Sequence, residues 1–331
     1  MYIITIDTGT TNTRIKVWKE NQVIASSSIQ VGVRDTAITG SKQTLQQGVK
    51  TAIQQALENA NITYNDIKLV LASGMITSNV GLYEVPHITA PAGIEELAQG
   101  MVKVDIPEVI EQPIWFVPGI KNNIKDINIE NCESMDIMRG EEVEAFGIIE
   151  KLGVKRPALV ILPGSHSKFI RVDEQNKITS CVTSLAGELL SVITKNTILS
   201  NALEGSFVNQ IDAHFILKGA QHARKVGLNR SCFTVRILDQ FTSYSTQEKA
   251  NFLAGIIFGT DLLAIKNSSA LQMNSELPVI IGGSRSLKRI FEVLIKSDHY
   301  FKGEVKVIDD ELMKDIAGFG AVTIARKRGL L

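Results

Sequence analysis

The run IITIDTGTTNTRIKVW near the start of the chain limits the fold more than any other stretch. Ile3 to Ile6 reads as a β-branched strand, Asp7 to Thr13 as a tight turn of Gly, Thr and Asn, and Arg14 to Trp18 as a returning strand. An ordinary hairpin would use the same turn residues. The plan, however, occurs twice: the strand Ala158 to Leu162 is followed by PGSHS and then by the strand-like run Lys168 to Val172. Two such hairpins, one near the start of each half, suggest a duplicated fold with a phosphate grip on each side of a cleft. A chain of 331 residues has room for two lobes of comparable size. The basic, Pro-containing passage KLGVKRPA marks the expected boundary, with an N-terminal lobe at 1–154 and a C-terminal lobe at 155–331.

Composition narrows what such a cleft could hold. Lysine plus arginine equals aspartate plus glutamate at 35 each, so no broad charged surface is available to nucleic acid or an anionic membrane. Small-molecule partners are expected instead. The apolar stretch FLAGIIFGTDLLAI, Phe252 to Ile265, is interrupted by Asp261 and falls short of the roughly 20 residues of a membrane span, so it reads as a buried helix. The start of the chain goes directly into a strand and lacks the pattern of an export signal, which makes a cytoplasmic location the expectation. Cys132, Cys181 and Cys232 are widely spaced, odd in number and without a CxxC pair, and read as reduced core thiols.

Helical and strand-like patterns alternate along the chain, as in an α/β protein. Gln43 to Ala60 has helical spacing, and Ile67 to Leu71 and Ile114 to Val117 are strands. Between them SGMITSNVGLYEVPHITAPAG is a long segment of small and apolar residues, the kind of loop that shapes a site. Met135 to Lys151 is predicted as a helix containing MDIMRGEEVEAFG. Late in the chain, DIAGFGAVTIAR gathers Ala317, Gly318, Gly320 and Ala321 on one helix, either a hinge between lobes or a close-packed core helix.

Gly-rich turns bring backbone N–H groups onto phosphate oxygens. In the first hairpin Gly9 permits that approach, and Thr10, Thr11 and Asn12 add side-chain donors. Asp7, at the strand end, is suited to accept from water around Mg²⁺. The second turn offers Gly164, Ser165 and Ser167 to the same phosphates, with Lys168 either at the cleft or simply starting a strand. A nucleophile and base pair from His166 and its flanking serines lacks a third partner. In LPVIIGGSRSLKRIFEVLI an apolar strand runs through Gly282 and Gly283 into a helix opening at Ser284 to Ser286. That junction is a candidate adenosine seat, or an ordinary strand-to-helix turn with a serine cap. GxxxxGK[ST], a complete GxGxxG, HExxH and spaced Cys/His ligand sets are all absent from the sequence.

Taken in order, DTGTTNTR, MRGEE, LPGSHSK, IIGGSRS and the Gly/Ala helix resemble the actin, Hsp70 and sugar-kinase superfamily of ATP clamps. Within it, GMITSNVGLYEVP (74–86), DIMRGEE (136–142), LPGSHSKF (162–169) and AGELLSVI (186–193) resemble the 2-dehydro-3-deoxygalactonokinases nearly end to end. The resemblance implies a two-lobed actin-like (ribonuclease H-like) ATPase fold, a duplicated mixed sheet with flanking helices and a central cleft. It implies transfer of the ATP γ-phosphate, with Mg²⁺, to the 6-hydroxyl of 2-dehydro-3-deoxy-D-galactonate. Asp7, Gly9, Thr10 and Thr11 would then hold phosphate and the ion, Gly164, Ser165 and His166 the opposing loop, and Gly282, Gly283, Ser284 and Arg285 the adenosine. Ala186 departs from the family pattern, which has Thr before the Gly-Glu pair; Ser165 replaces Thr and keeps the hydroxyl.

Phosphoryl transfer asks the protein for positioning, charge neutralisation and one carboxylate to take the hydroxyl proton. The candidates are Glu141 and Glu142, with Asp136 third; first-turn glutamates favoured by the helix dipole are the alternative reading. Helical phase aligns Glu141 with Ile137 and Ala145, and Glu142 with Met138 and Phe146, and so does not choose between them; Glu141 is the narrow preference. Arg139 is the candidate partner of the substrate carboxylate, against a surface ion pair. Gly74, Met75, Ser78 and Glu84 are the candidates for the sugar-acid pocket. The competing functions are a related clamp kinase for another sugar or acid, a non-catalytic nucleotide switch and a phosphate-ester hydrolase. The oligomeric state is open, a homodimer included.

Overall fold

The computed structural model describes residues 2–154 and 157–331; residues 155 and 156, which adjoin the expected lobe boundary, lie outside the described residues. β1 (Tyr2–Thr8), β2 (Thr13–Lys19) and β3 (Gln22–Ile29) form an antiparallel meander. Helices α1 (Val33–Thr39) and α2 (Gln43–Ala60) carry the chain over one face to β4 (Ile67–Gly74), which lies parallel to β1. After β5 (Ile88–Thr89), α3 (Ile94–Gly100) and β6 (Val102–Ile106), β7 (Ile110–Phe116) pairs parallel with β4, completing a sheet of order β3-β2-β1-β4-β7-β6. Period-two alternation splits its side chains. Ile4, Ile6, Val70 and Ala72 pack against Leu45, Val49, Ala52 and Ile53 of α2. Ile3, Leu69 and Leu71 face the other way, toward the centre of the molecule.

Two short strands, β8 (Ile120–Lys121) and β9 (Ile137–Met138), join β5 in a small sheet, and α4 (Glu141–Leu152) follows. The second half then repeats the plan. β10 (Ala158–Leu162), β11 (Ser167–Val172) and β12 (Ile178–Ser184) form a second antiparallel meander. It is followed by α5 (Ala186–Asn196), α6 (Ser200–Leu203), α7 (Ala213–Val226), α8 (Leu228–Phe241) and α9 (Thr246–Asn267). β13 (Val279–Ile281), α10 (Arg285–Ser297) and β14 (Val305–Val307) complete a sheet of order β12-β11-β10-β13-β14. β13 is parallel to β10 as β4 is to β1, and β14 takes the place of β7. The two hairpins seen in the sequence are thus the first two strands of a duplicated mixed sheet. α11 (Asp310–Lys314) and α12 (Ile316–Lys327) end the chain.

The centre is shared. Val160 and Leu162 of β10, Val143 and Phe146 of α4, and Val322 and Ile324 of α12 belong to one buried cluster with Ile3 and Leu71. α12 is a close-packed core helix: a Cβ on Gly320 would lie 2.1 Å from the Val143 carbonyl oxygen, and one on Gly318 would lie 2.6 Å from the Trp18 ring. The 252–265 stretch sits within α9 and is buried along most of its length, as expected. Among the described residues no helix is long and apolar enough to cross a membrane.

Two expectations need correction. The helix predicted from 135 starts only at Glu141, because Ile137 and Met138 pair with β8 and Gly140 takes φ 107°, a left-handed value that breaks the helix. Of the three cysteines, only Cys181 is a core thiol; Cys232 is half-buried and Cys132 is exposed in a single 3₁₀ turn of a polar loop.

Candidate active site

Both hairpin turns are held by the helix that follows their meander. In the first, Gly9 N–H donates to Asn12 O at 2.9 Å, closing the turn, while the buried Thr8 and Thr13 hydroxyls meet at 3.1 Å. The opening N–H groups of α1 reach back to it, Val33 to Gly9 O at 3.2 Å and Arg34 to Thr10 O at 2.9 Å. In the second, Glu188 N–H of α5 donates to Ser165 O at 2.9 Å. Each contact requires a glycine at the crossing. A Cβ on Gly32 would stand 2.4 Å from Thr10 O, and a Cβ on Gly187 2.1 Å from Gly164 O. The duplication therefore extends from strand order to the support of each turn.

The turns open onto two adjoining cavities. One, of about 550 Å³, runs from Asp7 and Gly9 past Gly164, Ser165 and His166 to Gly283 and Ser284. The other, of about 490 Å³, lies between Thr10, the 74–87 segment and Arg139. Asp7, Gly9, Arg14, Glu141, Glu144 and His166 line both and mark their junction. One compartment thus joins both turns and the Gly283 junction, and the other holds the residues expected for a sugar acid, with carboxylates where they meet.

Most predicted site residues fall on these walls. Gly74, Met75, Ser78, Glu84 and Arg139 line the second cavity, and Gly283 and Ser284 the first. Four do not. Thr11 is exposed and takes a hydrogen bond from the Asn12 amide at 2.9 Å, so these two side chains serve each other, outside both linings. Gly282 backs the wall, packed against Leu162, Met313 and Ile148. Arg285 extends outward, 86% exposed, with Asp310 at 3.5 Å.

The three candidate bases separate cleanly. Because α4 begins only after Gly140, Glu142 turns into the core, fully buried, and accepts from Gly140 N–H at 2.8 and 2.9 Å. Asp136 lines neither cavity and accepts from the Thr183 hydroxyl at 2.9 Å. Glu141 remains at the junction, one oxygen held by Arg139 N–H at 3.1 Å. Sequence reasoning missed Glu144, which lies three residues on along the same helix face. It also passed over Arg14, whose guanidinium is 3.3 Å from Asp7. The spacing of 141 and 144 was the available signal, hidden by extending the helix to 135.

Arg139 lines the sugar-acid cavity but does not present a free fork. One terminal nitrogen donates to Thr77 O at 2.6 Å and Thr77 Oγ1 at 2.8 Å; the other reaches Val85 O at 2.8 Å and His87 Nδ1 at 3.3 Å. All four terminal N–H groups are committed to the loop that forms the cavity wall, so the expected bidentate carboxylate clamp is not available. Arg139 holds the wall in place. Lys168, whose position the sequence left open, is buried and lines the same cavity.

Comparison with known proteins decides what these cavities belong to. The sequence profile of the family described as 2-keto-3-deoxy-galactonokinase matches residues 7–311. The chain belongs to that family. It is 23% identical over 270 residues to the 2-dehydro-3-deoxygalactonokinase of Escherichia coli (strain K12), covering 81% of this chain and 82% of that one. It is 29% identical over 203 residues to the probable 2-dehydro-3-deoxygalactonokinase DgoK1 of Rhizobium meliloti (strain 1021), covering 61% and 59%. A solved structure from Sinorhizobium meliloti, described provisionally as a 2-dehydro-3-deoxygalactonokinase, superposes with a TM-score of 0.76 at 22% identity over 98% of both chains. Component A of the (R)-2-hydroxyglutaryl-CoA dehydratase of Acidaminococcus fermentans shares the fold, with a TM-score of 0.52 at 14% identity over 99% of both. The fold is the duplicated actin-like ATPase fold, as the sequence motifs implied.

In this member of the galactonokinase family the junction concentrates carboxyl groups in little solvent. Burial raises the Asp7 carboxyl above its usual range, against the pull of Arg14. Glu141 is likewise raised by burial, against Lys168. Glu144 is pushed up to about 8 by burial and by the charges of Asp7 and Glu141. Such a cluster of hard oxygen donors suits a divalent cation. Among the described residues no three His, Cys, Asp or Glu side chains converge closely enough to cage one.

Proposed function

We propose that this chain is an ATP-dependent kinase that transfers the γ-phosphoryl group to the 6-hydroxyl of 2-dehydro-3-deoxy-D-galactonate. The observation that carries this reading is Glu141, at the one place where the cavity bounded by the two phosphate turns meets the cavity behind Arg139. Gly9 and Gly164 would face the phosphates from opposite sides, and Gly283 and Ser284 would sit beside the adenosine. Mg²⁺, when bound, neutralises phosphate charge, and Asp7 would hold its water shell. The lobes would be 1–154 and 155–331, and the chain would work in the cytoplasm.

The reaction then needs little covalent chemistry from the protein. The 6-hydroxyl oxygen attacks the γ-phosphorus in line, its proton passes to a Glu141 oxygen, and the bond to the ADP oxygen breaks. A raised pKa makes Glu141 a stronger base, and the Arg139 N–H fixes its orientation. Arg14 would offset charge on the phosphoryl group in transit.

The test measures ADP formation with ATP and Mg²⁺ against this acid, its gluconate epimer, galactonate, glucose and glycerol. A signal concentrated on the 2-keto-3-deoxy acids is expected. Glu141→Gln should lower kcat by about 10² to 10⁴ while acid and ATP still bind. Nucleotide binding with no acceptor phosphorylated would favour a nucleotide switch instead.

A further inference from the structure

A six-carbon 2-keto acid carries its carboxylate at the opposite end from its 6-hydroxyl. With the hydroxyl at Glu141, the carboxylate must be met deeper in the second cavity. Two arginines and one lysine line that cavity: Arg14, Arg139 and Lys168. Arg14 belongs to the junction and pairs with Asp7. Arg139 has its terminal donors committed to the wall. His87 is no substitute, since burial and the neighbouring Arg139 press it down to about 4 and keep it neutral.

We infer that Lys168 is the cation that receives the substrate carboxylate, an assignment that rests on the function proposed above. Lys168 lines the sugar-acid cavity but not the nucleotide cavity, as required of a group at the acid end. Its Nζ donates to Ile137 O at 2.7 Å and Thr183 Oγ1 at 2.6 Å, which leaves one of its three N–H donors. Its nearest anion, Asp136, stands 4.0 Å away and is itself hydrogen-bonded by Thr183. Asp136 at 4.0 Å and, through space, Glu141 offset part of the charge of this buried ammonium, and its remaining donor can take a ligand carboxylate.

The surroundings also make it rigid. Ile137 is on β9 in the first half, and Thr183 on β12 in the second. Buried Asn122 fastens these halves beside them, accepting from Cys181 N–H and donating to Cys181 O, both at 2.8 Å. A cation held on a fixed seam costs little ordering when the ligand arrives.

The experiment compares kcat/KM for the acid and for its 1-carboxamide in wild type, Lys168→Gln and Lys168→Met. Gln keeps a donor for the seam and removes the charge. Wild type should prefer the acid by roughly 10- to 100-fold, the range for one charge-assisted hydrogen bond. In both variants the preference should collapse toward unity through a higher KM for the acid, with the amide and ATP little affected. Loss of acid and amide activity in equal proportion would mean that Lys168 only fastens the seam, and would overturn the inference. So would a preference that survives Lys168→Gln but vanishes in Arg139→Gln. Should Lys168→Met fail to fold, Lys168→Gln decides alone. A wild type that phosphorylates no acid at all refutes the kinase reading, and the inference with it.

Discussion

Replacing Gly187 by alanine tests whether the turns must be pressed against their supporting helices for the enzyme to work. The new Cβ would lie 2.1 Å from Gly164 O and 2.9 Å from both Gly164 C and Ser165 Cα. All three are backbone atoms, so no side chain can swing aside. Restoring even a 3.0 Å contact requires the turn and α5 to separate by about 0.9 Å. Glu188 N–H, which holds Ser165 O at 2.9 Å, would be pulled away at the same time. A misplacement near 1 Å in a positioning element costs on the order of 10²-fold in rate, whereas overpacking costs about 1–3 kcal/mol of stability. Gly187→Ala should therefore remain folded, with kcat/KM for ATP down about 100-fold, and should bind the sugar acid nearly as wild type does. Gly32→Ala, aimed at Thr10 O from 2.4 Å, should do the same from the opposite side. The assay is steady-state kinetics with each substrate varied in turn, alongside a urea unfolding curve. If Gly187→Ala keeps kcat/KM for ATP within about threefold, the tight crossing does not set the phosphate grip and the reasoning fails.

Other consequences concern stability. Glu142 is buried, and desolvation together with the Glu141 charge pushes it from 4.5 up to about 8. Between those values the folded chain keeps a proton that the unfolded chain has lost, so stability falls as pH rises through that window. Glu142→Gln should make this fall shallower and leave turnover largely intact, with Glu144 still contributing a slope of the same sign; an unchanged slope in urea titrations across pH would refute the assignment. At the start of α9, Ser245 Oγ accepts from Glu248 N–H at 3.3 Å and Glu248 accepts from Ser245 N–H at 2.7 Å. Ser245→Ala should cost about 1 kcal/mol through loss of this capping box, and a urea midpoint equal to wild type would show that the cap contributes nothing.

The duplicated hairpins were legible in the sequence because β-branched runs and Gly-Thr turns are local signals, and the local signal and the fold agree. The supports of those turns were not. Gly32 and Gly187 look like any helix-opening glycines until a hairpin-turn carbonyl is found 2.1–2.4 Å from where their Cβ would be. The choice between the candidate bases was obscured by a boundary: extending the α4 periodicity back through Ile137 gave Glu141 and Glu142 equivalent phases. The left-handed Gly140 and the pairing of β9 reset that phase, turning Glu142 inward and bringing Glu144 to the junction.

The same limit accounts for Arg139 and Lys168. Residue type favoured arginine for a carboxylate, and sequence proximity favoured the one beside the glutamates. Whether a cation is free to bind depends on how many of its donors the fold has already used, and that is settled by contacts over long sequence separations. Thr77 and Val85 occupy Arg139, 62 and 54 residues away. Lys168 keeps one donor because its two partners, Ile137 and Thr183, accept only the other two. Since a duplicated fold brings its second hairpin against loops of the first half, the geometry that sets Gly164 and Ser165 on the wall of one cavity carries Lys168 to the wall of the other. One short hairpin, PGSHSK, would thus serve both substrates, with phosphate at Gly164 and Ser165 and carboxylate at Lys168. A substitution at Lys168 should consequently change acid selectivity without altering the phosphate grip four residues earlier.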